Sequence, residues 1–358
     1  MSIAPPVYDI RISYDENYRN GPVFGIAPPP LQDTHQLVSF LGIPCRSRIG
    51  IPAGPLLNSR WIEFYAKMGF DILTYKTVRS HSHPSYQNPN CLYVPFNRPF
   101  KAEDLDSPLI ATLDFHPQSM NSITITNSFG MPSQDPSVWI PDIGKSVQSL
   151  AKNQVLVVSV VGIEQPNCSM PDDFARTAKI AKEAGAMAIE VNFSCPNVKG
   201  KEGQLYQSPE SSMKVLSMVR AAIGDTPLIM KIGQISDPDL AKRLLEKTSP
   251  YIQGVGAINT VLGTIINSNG QPALPGSGRE RSGLCGAGIR NLALQTVGIL
   301  RKVIDEGKME LSLIGVGGYN TPDDYMLFRN EGADFVMSAT GAMWDPYLAY
   351  VTKQRDID

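Results

Sequence analysis

From about residue 37 onward, short runs of β-branched and other apolar residues alternate with stretches whose apolar positions recur every three or four residues. The first pattern is that of strands buried on both faces, the second that of helices covering them. Eight runs of the first kind stand at 48–53 (RIGIPA), 71–78 (DILTYKTV), 155–162 (VLVVSVVG), 186–194 (AMAIEVNFS), 227–233 (PLIMKIG), 254–261 (GVGAINTV), 311–317 (LSLIGVG) and 335–341 (FVMSATG). Helices are predicted at 57–68, 137–151, 171–184, 210–222, 237–248, 289–306 and 321–332. Several open with a capping residue, such as Asp237, or Thr321 ahead of Pro322. Eight strands alternating with helices favour a closed (β/α)8 TIM barrel over an open doubly wound sheet.

Residues 1–36 break the pattern. They carry PP and PPP, scattered charges and no sustained period, which predicts an extended arm outside the core. The chain therefore divides into an arm over 1–36 and a barrel over 37–358. Two connections are too long for plain turns. Residues 79–135, after the second strand, are expected to hold small extra strands over the barrel mouth. Residues 262–288, after the sixth strand and rich in Gly, Pro and Ser, are expected to form a lid or rim loop.

Composition narrows the function classes. The length of 358 residues suits one barrel with insertions, and 42% hydrophobic against 18% charged residues describes a chain that buries a large core. Thirty-two basic against 34 acidic residues leave a net charge of −2, with no Lys/Arg block of the kind that binds nucleic acid. No run approaches the ~18–20 apolar residues of a membrane span, and no signal peptide opens the chain, so a soluble cytoplasmic protein is expected. The five cysteines, Cys45, Cys91, Cys168, Cys195 and Cys285, lie far apart and fit neither a disulfide framework nor a zinc knuckle. The histidines fall on polar segments and read as solvated loop residues, so no metal site is expected.

Chemistry in this fold is built at the C-terminal ends of the strands. Lys76 ends the second strand, Asn192 with Ser194 and Cys195 the fourth, Lys231 the fifth, Asn259 with Thr260 the sixth. Such groups inside β-rich runs are costly to bury unpaired, and as a set they point to a ligand. Gly317–Gly318 and Ala339–Thr340–Gly341 end the last two strands, and small residues there let main-chain N–H groups approach a phosphate. In VNFSCPNVKG (191–200) a thiol follows a strand directly, stiffened by Pro196 and flanked by Asn192 and Asn197. That places a reactive cysteine beside amides suited to a planar polar ligand.

These residues carry a resemblance to the dihydroorotate dehydrogenases, specifically the class 1 cytosolic enzymes. NFSCPNVKG at 192–200 is similar to the family's NLSCPNVPG, NSFGMP at 127–132 to its NSMGLP, TYKT at 74–77 to its TKS, INTV at 258–261 to its NS or NT strand end, and IGVGGY at 314–319 to its IGTGGI. The segment 276–290 lacks the family's paired glycines, and Ser133 stands where Asn is common. The resemblance implies a cytoplasmic homodimer whose FMN-binding barrel oxidises dihydroorotate to orotate in pyrimidine synthesis. It implies that Cys195 removes the C5 proton while hydride from C6 passes to flavin N5. It assigns the pyrimidine ring to Asn127, Asn192, Asn197, Asn259 and Thr260. The substrate carboxylate falls to the backbone of Phe129, Gly130 and Met131 with Lys76. The FMN contacts fall to Ala53, Gly54, Lys76, Thr77, Lys231, Gly286, Gly317, Gly318, Ala339 and Thr340. Two alternatives stay open: a dihydropyrimidine dehydrogenase-like or other ring-oxidising flavoenzyme, and a catalytically silent barrel that binds a phosphorylated ligand. Fumarate, NAD through a partner subunit and a quinone all stay open as electron acceptor.

Overall fold

A computed structural model describes residues 3–24, 36–194 and 204–355. Its centre is a closed barrel of eight parallel strands: β3 (Ile49–Ile51), β4 (Ile72–Val78), β8 (Val155–Val160), β9 (Ala188–Asn192), β10 (Leu228–Ile232), β11 (Gly254–Ala257), β14 (Ser312–Val316) and β15 (Phe335–Met337). They stand in that order around the barrel, β15 pairing back onto β3. Each falls inside one of the eight apolar runs. Strand β8, VLVVSV, is buried at every position, which is why its sequence does not alternate.

Helices cover the outside: α2 (Ser59–Lys67), α3 (Pro136–Ser149), α4 (Met170–Glu183), α5 (Pro209–Ile223), α6 (Pro238–Thr248), α7 (Arg290–Glu306) and α8 (Pro322–Asn330), followed by the short α9 (Thr340–Trp344) and α10 (Leu348–Gln354). Their starts are chemically marked. Ser169, Ser208 and Asp237 each accept a hydrogen bond from a first-turn N–H, with proline just inside the helix in all three cases.

The two ends of the barrel are closed differently. A hairpin of β1 (Val38–Phe40) and β2 (Ile43–Cys45) plugs the N-terminal end. Phe40 packs edge-on to Phe335 at 4.9 Å and joins Ile72, Val155, Ala188, Ile229 and Ile314 in a dry cluster inside the barrel. Chemistry is thereby confined to the other end. There the two insertions combine into one five-stranded sheet, in the order β5 (Cys91–Tyr93), β7 (Thr124–Asn127), β13 (Arg281–Gly286), β12 (Val261–Ile266), β6 (Leu109–Ile110).

The segment 262–288 is thus not a plain rim loop: most of β12 and all of β13 lie within it. Glycine hides their alternation. A Cβ at Gly283 would sit 2.3 Å from Thr260 Oγ1, and one at Gly263 2.8 Å from Leu284 Cδ1, so close packing fixes the glycines that make the segment read as a loop.

The N-terminal segment also departs from an extended reading. Residues 14–20 form α1 (Tyr14–Asn20), opened by a capping box between Ser13 and Glu16. Val7, Tyr8, Ile10 and Tyr14 are buried with the main core.

Candidate active site

Lys76, Asn192, Lys231, Asn259 and Thr260, at or near the ends of barrel strands, arrive at one cleft between the barrel mouth and the five-stranded roof, while Ser194 is buried outside its lining. With the open solvent at its mouth included, the cleft takes in about 1260 Å³.

The floor comes from the barrel. Ala53 and Gly54 follow β3, Lys76 and Thr77 end β4, Asn192 ends β9, Lys231 lies on β10, and Asn259 with Thr260 follow β11. Gly317, Gly318, Ala339 and Thr340 complete the wall after β14 and β15, and Gly286 comes down from the roof. The amides are mutually oriented. Asn259 Nδ2 donates to Asn192 Oδ1 at 3.2 Å and to the Ser194 carbonyl, while Asn192 Oδ1 also accepts from Ser194 N at 3.2 Å. Thr260 N donates to Asn259 Oδ1 at 2.9 Å. Amides locked in this way present fixed donors and acceptors to a planar ligand.

Asn127 enters from the end of β7 and donates to Cys285 Sγ at 3.2 Å. Phe129 and Met131 line the cleft beside it. Gly130 does not: it faces the Tyr86 ring, which an added Cβ would strike at 2.7 Å. Gly130 and Met131 both take positive φ, 77° and 51°, and their carbonyls are turned away onto Arg79. The Arg79 guanidinium holds the Met131 carbonyl at 3.0 Å, and Tyr86 N holds the Phe129 carbonyl at 3.0 Å. Across a trans peptide the carbonyl and the next N–H point opposite ways. The loop therefore directs the N–H groups that follow Phe129 and Gly130 away from these anchors.

Burial sets the charges. Lys231 is 4% exposed, and desolvation lowers the pKa of its ammonium, with Glu190 the one charge acting against that. Burial pushes the Cys285 thiol up to about 11 and the Cys91 thiol well above its ordinary value, so both stay protonated near neutrality. Cys195 and Asn197 lie outside the described residues.

Other cleft residues went unremarked in the sequence. Glu190 lines the floor; as a carboxylate inside AMAIEVNFS it carried the same signal as Asn192 two residues on. Tyr8 and Tyr14 come from the N-terminal segment, where the Ser13–Glu16 spacing was the available clue. Cys91, Cys285 and Ile125 belong to roof strands that short, glycine-interrupted runs concealed. Among the described residues no cluster of His, Cys, Asp or Glu could hold a metal ion, and no helix is long and apolar enough to cross a membrane.

Comparison with known proteins places this geometry. A family model described as dihydroorotate dehydrogenase matches residues 117–355. The chain is 38% identical over 358 residues to a dihydroorotate dehydrogenase of Dictyostelium discoideum, covering 97% of this chain and 96% of that one. It is 27% identical over 221 residues to the catalytic subunit of dihydroorotate dehydrogenase B (NAD(+)) of Bacteroides thetaiotaomicron, covering 62% of this chain and 67% of that one. Among solved structures, the ligand-free enzyme of Eimeria tenella superposes with a TM-score of 0.70 at 18% identity, covering 91% of this chain and 88% of that one. That likeness is one of fold.

Proposed function

The chain belongs to the dihydroorotate dehydrogenase family and oxidises dihydroorotate to orotate; we propose that it does so over a bound FMN, with Cys195 as the base that takes the C5 proton. The family is flavin-dependent. The observation that carries the FMN reading is the convergence of small residues and two lysines on one cleft. At Gly54 an added Cβ would meet no atom within 4 Å, leaving an open cradle beside Ala53. Gly317, Gly318, Ala339 and Thr340 form the wall suited to the phosphate. The Glu190 Oε1 atom, in the same cleft as Lys231, has no hydrogen-bond partner among the described residues, as expected where a ligand supplies one.

When bound, the flavin supplies a two-electron acceptor for the hydride leaving C6. The protein's own residues do the rest. Asn127, Asn192, Asn197, Asn259 and Thr260 hold the substrate ring in plane, so that the C5 proton faces one fixed base. The N–H groups of the Phe129–Met131 loop, with Lys76, take the carboxylate. Lys231 would neutralise the negative charge that builds on the reduced cofactor. A thiol of ordinary pKa near 8.5 needs only a modest shift to act as base near neutral pH. The class 1 resemblance, with a cysteine at 195, further supports a cytoplasmic homodimer, which light scattering of the purified protein tests directly.

Orotate and uracil share a ring and differ in the carboxylate. Charge-assisted hydrogen bonds are worth roughly 1.5–3 kcal/mol each before desolvation. Orotate should therefore perturb the flavin spectrum at concentrations at least about tenfold below uracil. Equal affinities would shift the substrate to an uncharged dihydropyrimidine, and colourless protein that takes up no FMN would remove the cofactor assignment.

A further inference from the structure

On the reading that a flavin occupies the cleft, we propose that Glu190 is the counter-charge of Lys231, a positioning residue whose carboxylate keeps that buried ammonium protonated. The two approach one another inside the barrel, beside Gly256. Lys231 on β10 pairs in register with Asn192 of β9 on one side and Gly256 of β11 on the other, and Glu190 lies two residues before Asn192. Gly256 makes this approach possible. A Cβ there would meet Lys231 Cδ at 3.0 Å and Glu190 Oε2 at 3.8 Å, so the missing side chain is the space into which both charged groups extend.

Neither group is explained by the fold alone. Glu190 is 3% exposed, and its Oε1 is buried with no hydrogen-bond partner among the described residues. An isolated carboxylate or ammonium buried in this way is costly, and each lowers the cost of the other through a medium that screens poorly. The other ionisable residues of the cleft offer no substitute. Lys76 on β4 adds positive charge. Burial holds Cys91 and Cys285 of the roof as neutral thiols, and Tyr8 and Tyr14 of the N-terminal segment as neutral phenols. Tyr319 turns its hydroxyl to Thr352 at 2.7 Å. Glu190 is therefore the one carboxyl side chain among the described residues that line the cleft.

The consequence is that one buried carboxyl group sets the charge of the lysine that faces the cofactor cleft. With the Glu190 side chain beside it, Lys231 would keep its positive charge and offer it to a reduced flavin bound in the cleft. Without it, desolvation alone acts on the ammonium, which loses its proton at lower pH. The test uses flavin-loaded protein and follows the flavin midpoint potential against pH by spectroelectrochemistry. In Glu190→Gln the Lys231 deprotonation step should move to lower pH by about one unit or more relative to wild type. Lys231→Met should abolish the step, with or without Glu190→Gln. Profiles of Glu190→Gln and wild type that superimpose would overturn the inference, as would a step that persists in the double variant. If the Gln variant fails to retain flavin, Glu190→Asp carries the test, because it keeps the charge and withdraws it. A smaller displacement in the same direction supports the assignment, and none defeats it. Wild-type protein that takes up no flavin defeats this inference and the cofactor reading together, whereas flavin uptake with an unmoved step defeats this inference alone.

Discussion

Two thiols in the cleft are held neutral, and that narrows where a base can come from. Cys285 is pushed up to about 11 and Cys91 well above its ordinary value, both by burial, so neither offers a thiolate at the pH of turnover. The proposal of Cys195 follows the sequence position directly after β9, at the exit of the strand that carries Glu190 and Asn192. Cys195→Ala should lower turnover by roughly 10²–10⁴-fold, the usual worth of a positioned base, while the flavin spectrum stays that of wild type. Cys195→Ser should recover some activity only at high pH, since a hydroxyl is a far weaker acid than a thiol. Stopped-flow flavin reduction across pH separates these outcomes, and an alanine variant as fast as wild type at neutral pH would move the base elsewhere. The residues on the barrel floor were legible because each is an amide or a charge inside an apolar run, where burial without a partner is costly. Arg79, Tyr8 and Tyr14 were not, because each does its work through contacts with segments distant in the chain, to which period and composition are blind.

The element that holds the roof in place is a single buried guanidinium. Arg279, just before β13, is 3% exposed and donates to the carbonyls of Gln87 at 2.8 Å, Pro275 at 2.7 Å, Pro89 at 3.0 Å and Ser128 at 2.7 Å, and to Asn90 Oδ1 at 3.0 Å. It ties the insertion after β11 to the insertion after β4, and through Ser128 it reaches the residue before Phe129. Removing it strands several buried acceptors at once. Arg279→Ala should cost about 2–4 kcal/mol in denaturant titration and raise amide exchange in both 87–90 and 281–286. Arg279→Lys, which keeps the charge but loses the planar fork, should recover only part of that. Wild-type exchange in those segments would show that the sheet hydrogen bonds suffice without the clamp. The barrel strands and their helices were legible because a buried strand and an amphipathic helix each impose a period on the sequence. Strands β12 and β13 were not, because Gly263, Gly283 and Gly286 stand where side chains would have alternated. Gly286 has φ +90° with the Ile123 carbonyl 2.4 Å from an added Cβ, a position that close backbone packing reserves for glycine.

At the scale of the whole molecule, the N-terminal segment couples the barrel's outer wall to its active site. We propose the division at residue 36 as a division of folding and not of function. Among the described residues, the closed sheet and the cluster around Phe40 contain none from the segment, so the barrel has what it needs to form. The cleft does not. Tyr8 packs on Trp61 and edge-on to Phe129, each at 6.0 Å, and Tyr14 lies 6.1 Å from the same Phe129 ring. Val7 N donates to the Met343 carbonyl at 2.8 Å, and Arg60 of α2 binds the carbonyls of Tyr18 and Arg19 at 2.7 and 2.6 Å, which pins α1 along the barrel. Deleting residues 1–24 removes the buried Val7 and Ile10, worth roughly 1.5–3 kcal/mol each by transfer, and uncovers Trp61 and Phe129. The truncated protein should still fold and take up flavin, but it should melt roughly 5 °C or more below wild type. It should also bind orotate at least about tenfold more weakly, because the loop after β7 loses the two rings that fix Phe129. Differential scanning calorimetry and an orotate titration of the same preparation read both effects. Lower stability with wild-type orotate affinity would make the segment a brace with no part in the site, and wild-type values for both would make it a passenger on a barrel complete without it.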